Sequence, residues 1–161
     1  MNEMLLTTDS LKKIDAEVAK YPPERKQSAV MMALIIAQDE KGWLSTEVMD
    51  TVARYLGMPS VAVYEVATFY SMYNLQPTGR YKLTLCTCLP CGLQGALDAG
   101  DHRRKKLGIG FNETTADGRF TLKEGECMGA CAMAPVVLVN NKKMLDYMSH
   151  EKLDQLIESL K

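Results

Sequence analysis

From about residue 10 to residue 75 the apolar positions recur at three- and four-residue spacing, the period of a helix, and prolines and glycines divide the pattern into four segments. Leu11, Ile14 and Val18 form one face of a first helix, capped by Asp9 or Ser10 and ended by Tyr21-Pro22-Pro23. Pro23 suits the first turn of a second helix, which runs through the apolar stretch 29–37 and stops at Gly42. The breadth of that stretch predicts a helix buried on most sides. Ser45 followed by Glu47 opens a third helix, with Val48, Val52 and Leu56 on one face and Gly57 as its stop. Ser60 caps a fourth, which carries Val63, Val66, Ala67, Tyr70 and Tyr73 and breaks at Gln76-Pro77-Thr78-Gly79.

After Gly79 the period drops from 3.6 to 2, because Tyr81, Leu83 and Leu85 alternate with Lys82, Thr84 and Cys86. A second domain starts here, so the expected division is 1–78 and 79–161. The strand runs into a group of cysteines, after which Leu93, Leu97 and the polar residues through Lys106 suit a helix. Arg103, Arg104, Lys105 and Lys106 fill its last turn and are expected to be solvated there, where the helix dipole favours cations. A loop at 112–118 leads to a strand at Phe120 and Leu122 and to the second cysteine pair. Residues 136–139 read as a buried strand, Asn140-Asn141 as a turn, 144–147 as its partner, and Ser149 as the cap of a final helix. The expected fold class is α+β.

Composition narrows the function more than the fold. The chain has 161 residues, 47% hydrophobic and 24% charged, an ordinary globular balance. Nineteen Lys and Arg against 20 Asp and Glu give a net charge of -1, so no whole-protein field attracts nucleic acid or an anionic membrane. The apolar run 29–37 is far short of the roughly 20 residues a bilayer-spanning helix needs. The start, MNEMLLTTDS, lacks the features of a secretory or mitochondrial leader, which leads us to expect a cytoplasmic protein, or one already processed, without direct membrane insertion.

All five cysteines lie between Cys86 and Cys131, where reduced thiols suggest metal or redox chemistry. They form the runs Cys86-Thr87-Cys88-Leu89-Pro90-Cys91 and Cys127-Met128-Gly129-Ala130-Cys131. Choosing Cys86 and Cys91 gives C-x4-C with C-x3-C, loops that suit a bulky iron-sulfur cluster, with Gly129 and Ala130 allowing backbone amides to approach. Choosing Cys88 and Cys91 gives C-x2-C, which suits zinc or a dithiol. Zinc leaves Cys86 spare, and a dithiol leaves Cys127 and Cys131 unexplained. Spacing favours the cluster and leaves the others open.

These two runs, with Glu126 and Ala134-Pro135 beside the second, resemble the thioredoxin-like [2Fe-2S] subunit of NADH:quinone oxidoreductase, the 24 kDa subunit of respiratory complex I. The resemblance extends to Val66-Ala67-Thr68-Phe69-Tyr70, Lys106-Leu107-Gly108-Ile109, Glu113-Thr114-Thr115 and Asp117-Gly118. It implies an N-terminal helical bundle followed by a thioredoxin-like ferredoxin domain, with a cis-proline at Pro135. It also implies one [2Fe-2S] cluster on Cys86, Cys91, Cys127 and Cys131, with no catalytic side chain and with Cys88 a bystander whose closeness leaves room for ligand exchange if Cys86 or Cys91 is lost. Amides of the Gly92 helix start and of residues 128–130 are expected to offset the cluster's negative charge.

The implied partners are a flavoprotein that binds FMN and oxidises NADH, and a neighbouring iron-sulfur subunit, in a complex peripheral to the inner face of the plasma membrane. No Gly-rich nucleotide fingerprint follows a strand in this chain, so FMN and NADH are expected on the partner, and the chain alone is not expected to oxidise NADH. The alternatives are the equivalent diaphorase subunit of an NAD-linked hydrogenase or formate dehydrogenase, and a colourless zinc-binding adaptor. Tyr64, Phe69, Tyr70 and Tyr73 are expected in the core, and His102 and His150 at the surface, away from any metal.

Overall fold

The computed structural model describes residues 5 to 160. Met1 to Met4, part of the start read above for a leader, lie outside the described residues, as does Lys161. The chain divides into two compact units, Met1–Pro77 and Thr78–Lys161.

The first unit holds α1 (Thr8–Val18), a 3-10 segment (Pro23–Ala29), α2 (Val30–Lys41), α3 (Thr46–Leu56) and α4 (Ser60–Phe69). Ser45 caps α3 as expected, accepting the Val48 amide proton at 3.3 Å, and Gly42 and Gly57 end α2 and α3 with φ of 82° and 63°. The other ends differ from the sequence reading. Thr7, not Asp9 or Ser10, caps α1, because its hydroxyl accepts from the Ser10 amide while Ser10 itself is buried. Arg25 leaves the helical region at φ -118° and ψ 20°, so regular α-helix begins only at Val30. Ser60 is the first helical residue of α4 and Pro59 precedes it.

Ile14, Leu34, Val52, Leu56 and Val63 fill the core of this unit. Tyr70 turns to extended backbone and ends α4 at Phe69, which leaves Tyr73 beyond the helix. Tyr73 is nonetheless buried and donates its hydroxyl proton to the Met31 carbonyl at 2.9 Å. Tyr64 is half-buried and donates to Asp50. Phe69 is 80% exposed and Tyr70 is exposed, which corrects their assignment to the core: α4 turns Val63 and Ala67 inward and leaves Phe69 on the other side.

Glu40 ties α2 to the start of α1. Its carboxylate accepts the Thr7 amide at 3.1 Å and hydroxyl at 2.9 Å and stands 2.8 Å from the Lys41 ammonium. Burial works against the charge, but Lys41, Ser10 and Thr7 outweigh it and draw the pKa from 4.5 down to about 2. The folded value is the lower one. The stabilisation is therefore complete above the unfolded value of about 4.5 and disappears as pH falls towards 2. Thermal melts across that window are expected to fall more steeply for the native chain than for Glu40→Gln, which begins less stable at neutral pH. Parallel curves would rule out this role.

The second unit runs β1 (Tyr81–Cys86), α5 (Leu89–Leu93), α6 (Ala96–Leu107), β2 (Glu113–Thr114), β3 (Phe120–Gly125), a 3-10 turn (Cys131–Met133), β4 (Val137–Val139), β5 (Lys143–Leu145) and α7 (His150–Ser159). The sheet order is β2-β3-β1-β4-β5. β1 and β3 are parallel, as a helical crossover between them permits, and the other pairs are antiparallel. The fold is α+β. Leu83, Leu85, Phe120, Leu122, Val137 and Leu153 form its core.

The single helix expected after the first cysteines is broken at Gly95, whose φ of 88° separates α5 from α6. The expected loop at 112–118 contains the short edge strand β2. Asn140 and Asn141 make the expected turn, with φ of 50° and 56°, and β5 ends at Leu145, before Tyr147 takes up φ 45°. Arg103 is not solvated: Ala96, Ala99, Gly100 and Arg103 share the buried face of α6, and Arg103 is 0% exposed. No described helix is long and apolar enough to cross a membrane.

Gly79 leads the chain into β1 where no side chain fits. A Cβ there would lie 2.9 Å from the Gly118 carbonyl oxygen and 3.0 Å from backbone atoms of Phe120. Gly79→Ala must push β1 and β3 apart and is expected to cost about 1–3 kcal/mol, measured as a lower urea midpoint.

Candidate metal centre

The register of three strands brings the cysteine loops together. β1 and β3 are parallel and pair Cys86 with Gly125, so both strands deliver their following loops at the same edge. β4 runs the other way and pairs Val137 with Leu85, so it starts at that edge too. The Cys86 amide donates to the Val136 carbonyl at 3.1 Å and the Thr87 amide to the Gly125 carbonyl at 3.0 Å, which ties the three ends together. Gly125 is needed at the handover: a Cβ would lie 2.8 Å from Thr84 Cγ2 and 3.0 Å from Met128 Cε. Gly129 turns the second loop at φ 69°, and the Ala134-Pro135 peptide is cis at the position the resemblance marked.

All five cysteines are free thiols. Cys86 and Cys91 are buried, Cys88 and Cys131 half-buried, and Cys127 exposed. The sulfurs of Cys86, Cys88 and Cys91 lie within 4.8 Å of one another, and so do those of Cys88, Cys127 and Cys131. Cys88 belongs to both groups. Its sulfur is 3.5 Å from that of Cys86. The sequence reading made it a bystander with room for ligand exchange, and the i, i+2 relation to Cys86 in extended backbone signals two side chains on one side.

Burial and local hydrogen bonds together shift the three thiols of the first loop. Burial opposes charge on Cys86, but the amides of Cys88 and Met128 and the thiols of Cys91 and Cys88 outweigh it, and its pKa falls below the usual thiol value. Burial pushes Cys91 up to about 12, helped by its hydrogen bonds and by charge on Cys86 and Cys88. At Cys88 the Cys91 amide favours the thiolate, yet Cys86 and burial prevail and the pKa is raised. While protonated, Cys86 donates to the Glu126 carbonyl at 3.1 Å. Of the amides expected to offset a cluster's charge, that of Met128 donates to the Cys86 sulfur. The Gly92 amide does not, being bound to the Cys88 carbonyl at 2.9 Å.

His102 and His150 stay out of the centre. Their rings stack 4.2 Å apart, and each Nε2 lies 2.9 Å from a carboxylate, Asp154 for His102 and Asp98 for His150. These contacts join α6 to α7. Among the described residues, the groups able to hold a metal ion consist of cysteines alone.

The donor set fits an iron-sulfur cluster. Cys86 with Cys91, and Cys127 with Cys131, form two pairs of adjacent sulfurs, and each pair would suit one tetrahedral iron. Soft thiolates select such a group over hard cations.

The family model described as thioredoxin-like [2Fe-2S] ferredoxin matches residues 14–161. A subunit of the NADH-quinone oxidoreductase of Rickettsia felis is 46% identical over 142 residues, covering 88% of this chain and 84% of the relative. A subunit of the NADH-quinone oxidoreductase of Thermus thermophilus is 38% identical over 148 residues, covering 92% and 82%. Among solved structures, an NAD+-reducing [NiFe]-hydrogenase aligns at TM-score 0.68 with 20% identity, over 79% of this chain and 22% of that one. The present chain spans about a fifth of that hydrogenase chain, and the likeness is one of fold alone.

Proposed function

The chain belongs to the thioredoxin-like [2Fe-2S] ferredoxin family, and on that premise we propose that it is the electron-transfer subunit of an NADH:quinone oxidoreductase, with Cys86, Cys91, Cys127 and Cys131 holding its cluster. The observation that carries this reading is the meeting of two cysteine loops at one sheet edge, with a pair of neighbouring sulfurs on each. When bound, a [2Fe-2S] cluster supplies a one-electron carrier.

The protein's own part is to hold four thiolates in fixed places and to offset their charge. Cys86 is anchored by its amide to Val136 and receives the Met128 amide at sulfur. Cys91 is buried on α5, and the Gly129 turn lets the second loop fold back. The sulfur positions are thereby set before metal arrives, so little reorganisation accompanies a change of charge.

Relatives named as parts of an NADH-quinone oxidoreductase support a place in a multi-subunit oxidoreductase. In this reading the partner binds FMN and NADH, a second iron-sulfur subunit lies beside it, and the assembly sits at the inner face of the plasma membrane. Leu89 and Leu93 on α5 are 76% and 81% exposed, and Leu97 follows them on α6. Three large apolar side chains in water beside the cysteine loop favour a face that a partner covers.

The deciding experiment is absorption and EPR spectroscopy of the anaerobically purified chain before and after dithionite, with iron, sulfide and zinc assayed on one sample. Red-brown protein with about two irons and two sulfides, EPR-active on reduction, is expected. Colourless protein with about one zinc would leave the fold standing and remove electron transfer.

A further inference from the structure

We infer that Cys88 is a reserve ligand of the metal centre, able to take the place of a lost neighbouring thiolate, Cys86 first. This rests on the cluster reading above.

Its sulfur lies within 4.8 Å of each of the other four, as a member of both groups of three. Two sulfurs bound at about 2.3 Å to one tetrahedral metal stand about 3.8 Å apart. The Cys86 to Cys88 separation of 3.5 Å is within a few tenths of that, so the two sulfurs border the same metal position, and Cys88 has only that 3.5 Å to cover to fill the place Cys86 leaves.

The backbone permits that movement. Cys86 closes β1 and is held by its amide to Val136, whereas Cys88 lies between the strand end and α5 at φ -58° and ψ 157°, outside the strand pairing. It is half-buried, open enough to move and close enough to Cys86, Cys91, Ala96 and Ala130 to stay in the pocket. A leucine or threonine at position 88 would offer no such donor. The exchange is not a redox step: one iron-sulfur bond forms to Cys88, whose thiol proton passes to water, in the position that Cys86 leaves vacant.

The test uses the full chain, purified anaerobically, as the native protein, Cys86→Ser, and Cys86→Ser/Cys88→Ser. Iron per chain, the EPR spectrum after dithionite, and the cysteines alkylated by iodoacetamide in the native state are measured on each. In the native protein Cys88 is alkylated and the four ligands are protected. In Cys86→Ser iron is retained and Cys88 becomes protected, and the double variant holds about tenfold less iron or lower, since losing even an outer-shell partner costs roughly 10–100-fold in metal affinity. Cys127→Ser, at an exposed site whose sulfur also lies within 4.8 Å of Cys88, is run beside it in case Cys86→Ser does not fold, and there too Cys88 is expected to become protected. Alkylation of Cys88 in both single variants, or equal iron in the Cys86→Ser single and double variants, overturns the inference while leaving the cluster in place. Native protein without iron overturns both this inference and the reading beneath it.

Discussion

The double variant Cys127→Ser/Cys131→Ser is expected to purify as folded, colourless protein with no bound iron and no EPR signal after dithionite. It removes one whole pair of neighbouring sulfurs and leaves Cys86, Cys88 and Cys91. Three thiolates cannot complete a four-thiolate site, whatever Cys88 does. The effect is all or nothing, where a single substitution can be masked by Cys88. The fold should survive, because Cys127 is exposed, Cys131 only half-buried, and neither lies in a strand. Iron, sulfide and EPR provide the readout, and the melting curve is compared with that of native protein stripped of metal, because bound metal adds its own stability. Retained iron at native stoichiometry would overturn the proposed ligand set.

The parts of this molecule legible in the sequence are those that local chemistry decides. Ser45, Gly42 and Gly57 mark helix ends by their own capping and left-handed preferences, and the structure uses all three. The period-2 run from Tyr81 gave β1, and Asn140-Asn141 gave the β4–β5 turn. What stayed hidden depends on tertiary placement. The segment after Pro22 contains good helix formers, so its departure at Arg25 has no local signal. Tyr70 lies at helical spacing with Val63, Val66 and Ala67, but α4 ends at Phe69, just before it. The cysteine pairs could be named from spacing, whereas the central place of Cys88 depends on the register of β1 against β3 and β4, which the sequence does not state. Arg103 was hidden by its neighbours. In the run His102-Arg103-Arg104-Lys105-Lys106 every residue reads as solvated, yet Ala96, Ala99 and Gly100 leave the inner face of α6 with little side-chain bulk, and Arg103 occupies it.

That burial carries the largest expected gain in stability. Arg103→Met is expected to raise the unfolding free energy by about 1–4 kcal/mol, the range found when buried ion pairs give way to apolar side chains of similar volume. The guanidinium is fully buried, and among the described residues none of its three nitrogens has a hydrogen-bond partner. Burial draws its pKa down to about 10, so at neutral pH it is charged as well as unpaired. Both conditions oppose folding, since a buried polar group without a partner loses its hydration and gains nothing in return. Methionine keeps much of the aliphatic stem and its flexibility, so the packing contribution of that stem is largely retained. Arg103→Lys separates charge from packing: it keeps the cation in the same place and is expected to show no such gain. Urea unfolding reads both variants, with a higher midpoint at unchanged slope for methionine as the supporting result. A lower midpoint for Arg103→Met would mean that the guanidinium has a stabilising partner or that its volume outweighs its charge. The comparison with lysine then decides between these, because a missing partner would be restored in part by the ammonium and a missing volume would not.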